Sequence, residues 1–86
     1  MKVDIYKDIR PHDLTRRSFV FVPEGSDLSI LPDEILSELG ELRLEKSIEI
    51  LPGEKRLGLQ TDEAIEHITT QGFHVQHMDV RIRKSA

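Results

Sequence analysis

Eighty-six residues make one domain's worth of chain, enough for one compact core and too few for a large internal active-site cavity. The hydrophobic fraction is 37%, the charged fraction 33% and the net charge −4 with histidines neutral, which excludes a disordered chain and opposes the basic balance of a nucleic-acid binder. With no cysteine there are no disulfides, thiolate zinc sites or thiol nucleophiles; with no apolar run near about 18 residues, and with aspartates in MKVDIYKDIR, an intact cytoplasmic protein is expected.

Val3 to Lys7 alternates apolar and polar residues and reads as a first strand. Pro11, His12 and Asp13 break it. Ser18 to Val22 is β-branched and aromatic on both faces, which suits a central strand with one face under helices. Pro23-Glu24-Gly25 ends it with turn chemistry. Pro32-Asp33-Glu34 opens a helix whose stripe is Leu31, Ile35, Leu36 and Leu39, with Gly40 as a left-handed terminator.

Leu42, Leu44, Ile48 and Ile50 then share one parity, and Arg43, Glu45, Ser47 and Glu49 the other. Period 2 predicts a strand with one wet face, ended by Pro52-Gly53. Leu57 and Leu59 precede a second helix. Thr61 is its expected N-cap, Ala64, Ile65 and Ile68 its buried stripe, and Gly72 its end. Phe73 and Val75 start a last strand. Met78, Val80 and Ile82 have the opposite parity, which a bulge or turn near Gln76-His77 would reconcile.

The expected fold class is therefore α+β. The order is β-β-α-β-α-β, with one further β possible, in a mixed or antiparallel sheet of four to five strands with two helices packed on one face. Residues 1–77 form the domain, and residues 78–86 an edge strand or basic tail.

Ile5-Tyr6-Lys7, Phe19 to Val22, Leu31 to Leu36 running into Leu39-Gly40, Leu57, and Gly72-Phe73-His74-Val75-Gln76 together resemble the YcgL-like family of small bacterial proteins. The agreement in order and spacing runs from about Val3 to Gln76. Asp4 stands where the family often has cysteine, and His77-Met78 where it usually has a proline-containing end. The resemblance implies a bacterial α/β domain of this element order, and brings no catalytic residue with it.

His74 and His77 lie three apart on a strand and should face opposite ways, which argues against a metal site. His67 follows Glu63 at i, i+4 on the second helix and is expected to pair with it. His12 beside Asp13 is the basis of a small-enzyme alternative, although no nucleophile accompanies it. The glycines are scattered and form no phosphate cradle. No catalytic residue, cofactor or metal is assigned.

Arg43, Glu45 and Glu49 on the wet face of the third strand are candidate partner-binding residues, with Arg81 and Arg83 in the tail. Arg10, Arg16 and Arg17 could join that tail if the strand ends coincide. The expected function is a non-catalytic protein-binding or adaptor module, monomeric or weakly dimeric, without a membrane role. The first alternative is a nucleic-acid-associated accessory protein, which the net charge disfavours.

Overall fold

Alternation in Lys2–Asp8 produces β1, and the β-branched and aromatic run Arg16–Pro23 produces β2. The structure, a computed structural model, describes residues 1–55 and 60–79. A short 3₁₀ turn at Leu28–Ile30 leads to α1, Asp33–Glu38. β3 is Leu42–Glu49, α2 is Thr61–Gln71 and β4 is His74–Asp79. The four strands form one antiparallel sheet in the order β3-β1-β2-β4. The α+β class and the element order match the sequence expectation. Residues 56–59, with Leu57 and Leu59, and residues 80–86, with the possible fifth strand, lie outside the described residues.

Both faces of the sheet are covered. Val3, Ile5 and Phe21 pack with Ile50 and with Ala64 and Ile68 of α2. Val20 and Val22, of opposite parity on β2, pack with Leu31, Leu39 and Phe73, with Ile35 of α1 against them. The two helices therefore lie on opposite faces, and their expected placement on one face is corrected. The cause is visible in β2: a central strand apolar on both sides needs a cover on each. Leu36, assigned to the α1 stripe, is exposed instead.

β3 departs from simple alternation. Ile5 opposes Lys46 while the next residue, Tyr6, opposes Leu44. Glu45 is thus the extra residue of a bulge, which turns the strand over. Leu42 packs on the Tyr6 side, whereas Ile48 and Ile50 pack on the Val3 side. Shared parity did not mean a shared face, so the single wet face is corrected. β4 shows the reverse case. Its register runs unbroken from His74 opposite Phe21 to Asp79 opposite Arg16, without the expected bulge at Gln76-His77. Val75 and Met78 simply occupy opposite faces.

Gly72 terminates α2 in the left-handed conformation, φ 91°. Gly40 does not have a positive φ, so its expected left-handed role is corrected. Its N–H donates to Asp8 Oδ2 at 3.0 Å, and a Cβ there would stand 1.7 Å from the Arg10 carbonyl oxygen. Close backbone approach is what demands glycine at that position. Thr61 is the first residue of α2 and buried; the N-cap is Gln60, without a side-chain cap bond.

Candidate binding site at the open end of the sheet

The antiparallel pairing brings four strand termini to one end of the sheet. β1 and β4 end there, and β2 and β3 begin there. Lys7, Arg10, Arg16, Arg17 and Arg43 consequently gather at one pole of an acidic chain. Across the α2-side face of this end runs one row of directly opposed residues: Arg43, Lys7, Phe19 and Gln76. The next pair on that face is Arg17 with Met78. α2 packs farther along, over the row containing Ile5, Phe21 and His74. Lys7, Ile9, Arg43, Leu44 and Glu45 line a shallow cleft at the β1–β3 side.

The acids of this pole are largely engaged. Asp8 is buried and accepts the N–H groups of Arg10 and Gly40. Asp13 accepts from Thr15 N at 2.9 Å and Thr15 Oγ1 at 2.6 Å, which holds its carboxyl below the usual range. Glu41 lies 3.6 Å from Arg10 Nε. Among the described residues, neither Lys7 nor Arg43 makes an ion pair.

Of the sequence-predicted partner residues, Arg43 and Glu45 line this cleft. Glu49 does not join them, because it opposes Lys2 at the far end of the sheet. The bulge also puts Arg43 and Glu49 on opposite faces, which corrects their expected shared surface. Arg81 and Arg83 lie outside the described residues. Arg10, Arg16 and Arg17 do share one end with the terminus of β4, as their joining the tail would require. Lys7, Arg17 and Phe19 were missed as a set, because only strand register brings them together.

The histidines divide into separate environments. His12 is exposed in a loop; Asp13 Oδ1 accepts from Thr15, and among the described residues no hydrogen bond or ion pair joins His12 to Asp13. His74 and His77 face opposite sides of the sheet, as strand spacing requires. Ser18 Oγ and His77 Nδ1 lie 2.7 Å apart, the length of a nucleophile–base contact. Ser18 is only 3% exposed in mid-strand, so a substrate could not reach it, and the contact is a cross-strand clasp. Burial, then Arg16, lowers the His77 pKa, and Glu38 opposes that.

His67 and His74 meet at Nδ1···Nδ1 2.8 Å beneath α2, so one ring donates to the other. His67 Nε2 also stands 4.0 Å from Glu63, the pairing that i, i+4 spacing predicted. Burial, then His67, pushes the His74 pKa down, with Glu63 and Gln76 opposing. The seven-residue separation gives no periodic signal. What joins the pair is the sharp reversal at Gly72, which folds β4 back along the last turns of α2. Among the described residues no three metal-ligating side chains converge.

The sequence profile of the YcgL domain matches residues 3–78, nearly the whole chain. The chain belongs to the YcgL family. A YcgL domain-containing protein of Saccharophagus degradans is 26% identical over 76 residues, covering 88% of this chain and 79% of that protein. No solved structure matches the chain. The matched residues of this YcgL domain run from β1 to Met78 in β4, and so include every residue of the basic row.

Proposed function

We propose that this YcgL domain is a non-catalytic, cytoplasmic protein-binding module that docks an acidic partner protein through its basic pole. The observation that carries this is the open cation row: Lys7 directly opposes Arg43, neither makes an ion pair among the described residues, and Arg17 lies in the next row of the same face. Asp8 and Asp13 at this end accept hydrogen bonds from Arg10, Gly40 and Thr15, and Glu41 pairs with Arg10, which leaves Lys7, Arg17 and Arg43 as the cations facing outward on the α2 side. Complementary fields steer association and select partners more than they add raw affinity. No helix among the described residues is long and apolar enough to cross a membrane.

The test is capture of tagged protein from its own cells, followed by identification of the proteins retained. Arg17→Glu together with Arg43→Glu is the comparison. Proteins with acidic segments, retained by wild type and lost from the double variant, are the expected result. An identical set of proteins on both would overturn the role of the pole. Retention of nucleic acid alone would instead favour the accessory-protein alternative, for which the half-buried Phe19 among cations is the one supporting feature.

A further inference from the structure

Lys7 and Arg43 sit directly opposite each other on neighbouring strands. Like charges in that relation destabilise a sheet. A chain in need of stability alone would place an acid at one of the two positions. Among the described residues the acid lining the same cleft is Glu45, the extra residue of the β3 bulge. Lys7 is half-buried and lines the cleft. Arg43 is exposed and offers a planar fork suited to two carboxylate oxygens. Beside them Phe19 is only partly covered, and Met78 in the next row is 42% exposed. The face thus presents two opposed cations beside Phe19, with Met78 diagonal to Phe19 in the next row.

We propose that the Lys7–Arg43 pair binds a glutamate or aspartate side chain from an acidic segment of the partner protein, and that Phe19 and Met78 receive an apolar residue of that segment. This rests on the protein-binding role of the basic pole. A second copy of the chain would offer only the single carboxylate Glu45 from the matching cleft, beside two further cations, and so matches the pair less well than an acidic segment. The acidic segment supplies what the pair lacks: a charge-assisted acceptor that ends the repulsion between two neighbouring cations.

NMR titration of the ¹⁵N-labelled protein tests the site directly. The probe is a synthetic peptide alternating pairs of glutamate with leucine, and the control replaces each glutamate by glutamine. Saturable shifts should centre on the amides of Lys7, Phe19, Arg43 and Leu44, and be absent with the control. Lys7→Gln or Arg43→Gln should weaken binding by about tenfold, the loss of one charge-assisted contact. Arg43→Gln should at the same time raise Tm, because the opposed cations no longer repel. That gain separates a lost contact from a damaged fold. Shifts mapping elsewhere, equal binding of the glutamine peptide, or no saturable change at millimolar peptide would overturn the site. Tighter binding of a single-stranded oligonucleotide to the same amides would overturn the choice of ligand. If the peptide fails while cellular capture still depends on the pole, only this site falls. If the peptide binds but capture ignores the pole, the module role falls.

Discussion

At the residue scale, two glycines illustrate different constraints. Gly25 has φ 82° and open space around its Cα, so alanine there costs only backbone strain, about 1 kcal/mol. Gly40 has an ordinary φ, but a Cβ would overlap the Arg10 carbonyl and crowd Asp8 Oδ1, 2.8 Å away. Relief requires moving β1's exit and the Asp8–Gly40 bond together. Gly40→Ala should therefore cost about 3 kcal/mol or more, measured by urea denaturation against Gly25→Ala. Comparable losses for the two would mean that the crossing of the segments at 10 and 40 is wrong. His74 supplies a pH dependence. Its folded pKa lies below the unfolded value of about 6.5, so below that pH the unfolded chain binds the extra proton. Stability is thus fully present above about pH 6.5 and falls as pH drops toward the folded pKa. A proton on both Nδ1 atoms would also end the 2.8 Å hydrogen bond. The denaturation midpoint should decline on acidification from pH 8 to 5.5, and decline less in His74→Phe, which keeps ring packing against Phe21. Equal slopes in both proteins would place the pH sensitivity elsewhere, His77 on the opposite face being the next candidate.

At the element scale, what the sequence revealed depended on whether a signal was local. β1, β2, α2 and the stop at Gly72 followed from alternation, β-branching and cap chemistry, all readable within a few residues. The bulge at Glu45 was hidden because Lys46 looked like a mere interruption in a uniform apolar parity. A bulge inserts one residue and so preserves sequence parity while reversing the face. The placement of α1 was hidden for a different reason. Its stripe is apolar whichever face it covers, and only the second apolar side of β2 hinted that two covers were needed. The basic row depends on register across four strands, and no window of one strand contains it. Phe19 and Phe21 share the α2 side, but only Phe21 is centred on Val3, Ile5, Ile50, Ala64 and Ile68. Ile35 and Leu39, expected to pack with a phenylalanine here, belong to the other face. Phe21→Ala should cost about 3–5 kcal/mol, and the partly covered Phe19 distinctly less. A larger loss at Phe19 would show that α2 is centred over the row of Lys7 and Gln76, not over that of Ile5 and His74.

At the scale of the whole molecule, the small number of outward cations decides between the two kinds of partner. The −4 net charge opposes the approach of any polyanion, so binding of one would have to rest on the few outward cations of the row. Three cations, Lys7, Arg17 and Arg43, lie in the open rows of the sheet face, with Phe19 between them. If all three touched phosphates of a single strand, the log–log salt slope would be only about −2. That is a weak electrostatic footprint, and one partly covered ring is a small platform for stacking, worth about 1–3 kcal/mol per base when fully used. An acidic peptide needs less: one carboxylate for the opposed cations and one apolar side chain for Phe19 and Met78. Fluorescence anisotropy should accordingly detect no complex between micromolar protein and a labelled single-stranded RNA or DNA at physiological salt. At low salt a weak complex is expected, and Arg17→Glu with Arg43→Glu should remove it. A saturable complex that survives physiological salt and the double substitution would locate the contacts outside this face. Arg81, Arg83 and Lys84, which follow β4 in the chain, would then be the residues to replace, and nucleic acid the partner to pursue.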